Sequence, residues 1–375
     1  MTPRDVSVVL LSAGYSRRMG FFKPLEPIDG VPAIERLLRT CSDAGIDDKI
    51  VITGHRSSDV TPIVLRWGGR PVHNARFAEG MWTSVQTGAA SLSPSSRAFF
   101  ILPADMPLVR KTTLLQLIER ADPERIVSPT FGGVSGHPPL IGSSHIPSLL
   151  SFEADGGLRQ FIENKERWVV RLPVADEGTL LDMDYPEDFE SLRRRAKRLD
   201  IPTSAERRAL LSIAGTPERV VRHCEMVASV AVRLAMELPQ RRLDIPLLRA
   251  AALLHDICKT AERHDIVSGL FLRDHGFPSL VGIVVSHMDL PPAPSVEQAL
   301  LYLADKMTDG TEVISLEEKR ALMRERFADD PVAWLSARRR LARARQIART
   351  VERLSGRAIS SFLPPRRSEG PRPRG

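Results

Sequence analysis

Cysteine is scarce in this 375-residue chain: Cys41, Cys224 and Cys258, at spacings that suggest no pairing. A disulfide-stapled scaffold is therefore excluded, and a reducing cytoplasm is the expected setting. No run of roughly 18 uncharged apolar residues occurs, so neither a transmembrane helix nor a membrane partner is expected. The opening MTPRDVSVVLL puts Asp5 beside a short apolar run that leads straight into a glycine-containing loop, which reads as a first strand and not as a signal peptide. Lysine is rare too, eight residues against 45 arginines, a bias that follows genome composition as much as function. Lys23, Lys259 and Lys306 nevertheless fall inside the motifs described below. The arginine-rich stretches RRRLARARQ and PPRRSEGPRPRG lack interleaved aromatic residues. The net charge of +7 therefore reads as a solvated helix and a disordered tail, which argues against a nucleic-acid partner.

What the chain does have is the stretch Val6 to Leu25, VSVVLLSAGYSRRMGFFKPL. Its first six residues are uncharged and partly β-branched, which fits a strand buried on both faces in a parallel sheet. Gly14 and Gly20 then let backbone N–H groups turn toward an anion, and Arg17, Arg18 and Lys23 supply positive charge at the carboxyl end of that strand. No Gly-Lys-Ser/Thr follows, so this is not a Walker loop. Beyond it, helical spacing from Pro32 to Ala44 stops at Gly45, Asp48 to Thr53 reads as a second buried strand, and strand–helix alternation continues. Such alternation implies right-handed crossovers and a doubly wound, mostly parallel α/β sheet. AFFILPADMPLV, residues 98 to 109, is a further uncharged strand ending at Asp105. A carboxylate there suits a divalent ion that bridges nucleotide phosphates, or alternatively a helix cap before Lys111.

The glycine loop resembles the signature of the MobA-like nucleotidyltransferases, roughly L-A-A-G-x-S-x-R-M-G-x-x-K-x-L. Gly14, Ser16, Arg17 or Arg18, Met19, Gly20 and Lys23 match it, and Ser12 stands where the family has alanine. The resemblance implies a nucleotide-diphospho-sugar transferase-like sheet and transfer of NMP from an NTP to molybdopterin, with pyrophosphate as product. It makes Lys23, Arg17 and Asp105 catalytic and has Mg2+ held by Asp105. In NARFAEGMWTSVQTG it carries over Asn74, Gly80 and Ser84 as nucleotide-binding positions, although Gly80 and Thr83-Ser84 read equally as a helix start. The G-x-x-G-H-P segment places His137 near the acceptor as a positioning group. DMDYPEDF resembles the family's closing motif; Asp182 and Asp184 would alternate on a strand, leaving Asp184 to complete the metal site. Ala13 gives the A-A-G turn of the cytidylyl branch in place of the A-G-G or G-G of the guanylyl branch, so CTP is favoured. The rival acceptor is a sugar phosphate.

Near Pro202 the pattern turns helical, and five of the nine histidines lie between positions 223 and 287. His223 shares a helical face with Val227, Val230 and Leu234. LLHDICK brings His255 and Asp256, and LLYLADKM brings Asp305. Two imidazoles and two carboxylates entering an apolar bundle need a counter-charge, which a divalent metal supplies. The order His, His-Asp, Asp resembles the HD phosphohydrolase superfamily, with Lys259 also matching as a catalytic position. Metal-dependent hydrolysis of a phosphate ester is implied, or nucleotide sensing without turnover. His264 and His287 stand where such proteins hold a second metal or contact phosphate. The expected organisation is a transferase domain over 1–198, an all-α HD domain over 203–330, a basic helix over 331–362 and a disordered tail over 363–375.

Overall fold

All seven residues of β1 (Val6–Ser12) are buried, as an uncharged run demands when helices cover both faces of a sheet. Val8 and Leu10 join one core with Leu37, Leu38 and Leu114, while Val9 and Leu11 join the other with Val85, Ala89 and Phe161. The computed structural model describes residues 1–153, 156–238, 243–361 and 363. It divides into two units, Met1–Leu199 and Asp200–Gly375.

In the first unit β1 leads to a small hairpin, β2 (Pro27–Ile28) and β3 (Val31–Pro32). There follow α1 (Ala33–Asp43), β4 (Asp48–Thr53), α2 (Ser57–Arg66), β5 (Arg70–His73), α3 (Met81–Ala90), β6 (Ala98–Pro103) and α4 (Lys111–Glu119). The unit closes with β7 (Ile126–Phe131), β8 (Val134–Ser135), β9 (Leu140–Gly142), α5 (Ile146–Leu150), α6 (Gly157–Glu163), β10 (Val169–Pro173) and α7 (Pro186–Ala196). The main sheet has the order β10-β7-β9-β6-β1-β4-β5. β1 is parallel to β4 and β6, β4 to β5, and β7 to β10, whereas β9 runs antiparallel to β6 and β7. This is the doubly wound, mostly parallel sheet expected from the sequence. The chain winds from β1 out to β5 and then returns to the other side of β1 with β6. The loops after β1 and β6 therefore diverge and open a crevice at their carboxyl ends, where sheets of this kind bind ligands.

One local expectation fails. Asp182 and Asp184 lie on no strand; residues 181–184 have no regular structure. The preceding turn is tied down instead, since Thr179 O accepts from the His137 N–H at 2.8 Å.

The second unit contains α8 (Ser204–Ala214), α9 (Glu218–Met236), α10 (Ile245–Leu254), α11 (His264–Asp274), α12 (Pro278–Val285) and α13 (Val296–Lys306). After them come a two-stranded hairpin, β11 (Thr308–Asp309) and β12 (Glu312–Val313), then α14 (Leu316–Arg326) and α15 (Pro331–Ser355). The hairpin departs from the all-α expectation: Asp309-Gly310 is a turn-forming pair, and Gly310 takes a φ of +56°. The basic C-terminal helix is α15, which stops at Gly356 in the left-handed region. The expected disordered tail lies, apart from Leu363, outside the described residues.

Candidate active sites

The first site grows out of the β1/β6 pairing. Leu11 stands opposite Pro103, and the Ala104 N–H bonds to Leu11 O at 3.0 Å, so Asp105 emerges beside the start of the glycine loop. On the other side the His55 N–H holds Ala13 O at 3.1 Å. The loop folds back on itself. Ser16, at φ +57°, accepts the Met19 N–H on its carbonyl at 3.2 Å and the Lys23 N–H on its hydroxyl at 3.1 Å. Met19 plugs the loop into a small core with Ile28, Leu108 and Met183.

Lys23 is thereby held at the centre, only 12% exposed. Its Nζ lies 2.7 Å from Asp184 Oδ1 and 3.2 Å from Asp105 Oδ2. Burial opposes the Lys23 charge, but the two carboxylates outweigh it and hold the pKa above the usual lysine value. Asp184 is held below the ordinary carboxylate value, chiefly by the hydrogen bond from Lys23. Asp182 is pushed up, first by burial and then by Asp184 and Asp105. Arg18 reaches Asp184 at 3.2 Å from an exposed position, and the Arg17 guanidinium sits 4.6 Å over the Tyr15 ring.

A cavity of 410 Å³ is lined by Ala13, Gly14, Ser16, Arg17, Arg18 and Lys23, with Gly80, Ser84, Asp105 and Asp184 completing its walls. A Cβ at Gly14 would meet no protein atom within 4 Å. The missing side chain thus clears space for a ligand and relieves no clash. Ser12, the departure from the family pattern, also lines this cavity, and its Oγ is buried without a hydrogen-bond partner. Three expected positions, Gly20, Asn74 and His137, lie off the cavity wall. Asn74 is buried and bonded internally, donating to Thr83 Oγ1 at 2.9 Å and Ser84 Oγ at 3.0 Å. His137 is held below the usual histidine pKa by burial, and its Nδ1 has no partner.

The second site assembles His223 from α9, His255 and Asp256 from the end of α10, His264 from α11, His287 following α12, and Asp305 from α13. Asp256 is the hub. Its Oδ1 lies 3.3 Å from both His264 Nε2 and His287 Nε2, and its Oδ2 is 3.5 Å from His255 Nε2 and 2.9 Å from Lys259 Nζ. Asp305 Oδ1 reaches His223 Nε2 at 3.3 Å and His255 Nε2 at 3.7 Å. Three of these rings have their other nitrogen on a backbone carbonyl: His223 on Gly310 O, His255 on Ala252 O and His287 on Val284 O, at 2.9, 2.8 and 2.7 Å. A carbonyl only accepts, so each Nδ1 carries a proton and each Nε2 faces the cluster, the way a backbone carbonyl orients a metal-ligating histidine. His255 Nε2, His287 Nε2 and Asp256 Oδ1 are buried with no hydrogen bond of proper geometry. Two ligand triads result, His223–His255–Asp256 and Asp256–His264–His287, each with its donor atoms within 4.8 Å of one another. This N/O donor set fits a divalent cation.

The charges point the same way. Burial resists ionisation of Asp256, yet His255, His264, His287 and Lys259 hold its pKa well below normal. Asp305 is likewise held low by Lys306 and His223 against its burial. His255 is raised, with Cys224, Asp256 and Asp305 overcoming burial, while burial keeps His287 low. Gly310, which orients His223, was not among the expected site positions; the Asp-Gly turn was its signal in the sequence.

The fold and these two sites define a nucleotidyltransferase-like α/β domain followed by a helical domain with a histidine–aspartate cluster able to hold a metal. Residues 8–168 match the model of the MobA-like NTP transferase domain and residues 220–309 that of the HD domain. The purine catabolism protein PucB of Bacillus subtilis (strain 168) is 29% identical over 202 residues, 50% of this chain and 95% of that protein. The bifunctional protein GlmU of Rhizorhabdus wittichii is 31% identical over 126 residues, which span 33% of this chain and 28% of that protein. Among solved structures, Rv0371c from Mycobacterium tuberculosis H37Rv is 25% identical and covers 52% of this chain and 100% of its own, with a TM-score of 0.47. No helix among the described residues is long and apolar enough to cross a membrane.

Proposed function

We propose that the first unit transfers a nucleotidyl group from an NTP, with CTP favoured, to molybdopterin, and that the second hydrolyses a phosphate ester. The transferase reading is carried by Lys23, whose ammonium faces two carboxylates and a cleared glycine loop at one end of the sheet. An acceptor phosphate oxygen attacks the α-phosphorus, the bond to the α–β bridging oxygen breaks, and pyrophosphate leaves with that electron pair. The attacking phosphate is ionised at neutral pH, so catalysis is alignment and charge neutralisation without a strong base. Lys23 exchanges its carboxylate contacts for the triphosphate, with Arg17 and Arg18 at the rim. Backbone at Ala13, Gly14 and Gly20 approaches the phosphates, Gly80 and Ser84 form the facing wall, Asn74 positions Ser84, and His137 orients the acceptor. Asp105 and Asp184 would hold Mg2+, which takes one or two carboxylates plus phosphate oxygens and would offset phosphate charge there.

In the second unit His223, His255, Asp256 and Asp305 would hold a divalent metal, the Lewis acid that activates water against an ester. Lys259, 43% exposed beside Asp256, would receive the substrate phosphate. All three cysteines are free, which supports a cytoplasmic setting.

The test is pyrophosphate release by the full chain from each NTP, with molybdopterin and with several sugar phosphates as acceptors. CTP with molybdopterin is expected to react fastest; release only with sugar phosphates reassigns the acceptor. A phosphate-release screen alongside a metal count addresses the second unit. Nucleotide binding by metal-loaded protein without turnover would make that unit a sensor.

A further inference from the structure

We propose that the ester taken by the second unit is an organic bisphosphate, its second phosphate bound by Arg219 and Arg326. The inference rests on the phosphohydrolase reading of that site and names its substrate class. The cavity over the His/Asp cluster measures 750 Å³, far more than inorganic phosphate fills and within the range of organic ligands.

Most cations on its wall are already satisfied. Lys259 pairs with Asp256, Lys306 with Asp305, Lys319 with Asp309, and Arg340 with Asp289. Arg219 and Arg326 line the same cavity, and among the described residues neither meets a carboxylate. Both guanidinium groups are exposed and free to meet an anion beyond the ester phosphate itself, and guanidinium matches phosphate in two-point hydrogen bonding.

Their placement follows from helix periodicity. Arg219 lies one turn before His223 on α9, and Lys319, Met323 and Arg326 fall at i, i+4 and i+7 on α14. Met323 and Phe327 add an apolar surface for the organic part of the substrate. This wall is fixed in advance. Ser315 and Glu318 form a capping box on α14, Lys319 Nζ donates to Thr308 O at 2.8 Å, and Glu317 meets Arg345 on α15 at 3.4 Å. α9 and α14 set where the two arginine stems start, and their exposed heads can close on a second phosphate. α14 lies beyond residues 220–309, which match the HD model.

The experiment compares adenosine 3′,5′-bisphosphate with 5′-AMP on the full chain supplied with Mn2+, by calorimetric binding and by phosphate release. The bisphosphate is expected to bind roughly 10- to 100-fold more tightly, the range of one or two charged hydrogen bonds. Arg326→Gln and Arg219→Gln should each narrow that ratio about tenfold, with partial recovery in Arg326→Lys. Arg320→Gln, on α14 but outside the cavity wall, should leave the ratio unchanged. Equal affinity for the two probes, binding of neither, or a preference that survives both glutamine variants overturns the proposal. Arginine-dependent bisphosphate binding without any turnover would sustain it while removing the phosphohydrolase reading. Hydrolysis with equal affinities would do the reverse.

Discussion

Replacing Lys23 with alanine separates what the ammonium does for the fold from what it does for transfer. In the resting protein the loss is small. Asp105 and Asp184 are 24% and 39% exposed, and ion pairs this accessible contribute about 0.2–1 kcal/mol. During transfer one preorganised group at developing charge accounts for about 2.7–4 kcal/mol, so the rate should fall roughly 10²- to 10³-fold. The pH dependence fixes the sign. Asp184 titrates below the ordinary aspartate value when folded, so its share of stability is present above that ordinary value and is lost as pH falls through the lowered one. Lys23 titrates above 10.5 when folded, so its share is complete below 10.5 and is lost as pH rises through the raised value. The stability difference between wild type and Lys23→Ala should therefore stay flat from about pH 5 to 9 and shrink at both extremes. Urea unfolding at several pH values and pyrophosphate release at saturating nucleotide measure the two effects. Unchanged turnover in the variant removes Lys23 from the site, and a destabilisation of several kcal/mol would make it a structural residue.

Two glycines should respond in opposite ways. Gly14→Ala meets no protein atom and should leave stability within about 0.5 kcal/mol while weakening NTP binding; Gly88→Ala drives a Cβ to 2.2 Å from Val9 Cγ1 and should cost about 1–3 kcal/mol by urea unfolding. Removing metal with a chelator should lower the melting temperature, since an ion at 100 times its Kd adds about 2.7 kcal/mol, and His255→Ala should abolish both the bound metal and the chelator effect. Competition between CTP and GTP should favour CTP in the wild type and less so in Ala13→Gly. One methyl group discriminates by only about 1–3 kcal/mol, and an unchanged ratio in the variant clears Ala13 of any part.

The sheet was legible because its central strands β1 and β6 are uncharged runs, one ending in a glycine loop and the other at Asp105, with six or seven buried residues in a row. Lys23 and Asp105, 82 positions apart, could be joined only through the rule that ligands sit beyond the carboxyl ends of parallel strands. Asp184 was placed on a strand in error: alternation of Asp182 and Asp184 imitates a strand's period, while hydrogen bonding of the preceding turn to His137 is invisible in sequence. Asn74 shows a related limit, for a polar residue in a motif-like stretch can be spent on its neighbours Thr83, Ser84 and the Arg76 backbone. In the helical unit the histidines and aspartates of the candidate metal site stood out by type and spacing. Their tautomers did not, because the carbonyls that fix them, Gly310 O above all, come from folding.

Two chemically independent sites on one chain can be separated by assaying pyrophosphate release and phosphate-ester hydrolysis on the same preparations of wild type, Asp105→Asn and Asp256→Ala. Asp105→Asn should lose transfer and keep hydrolysis, and Asp256→Ala should do the opposite. A single substitution that silences both activities would contradict the account.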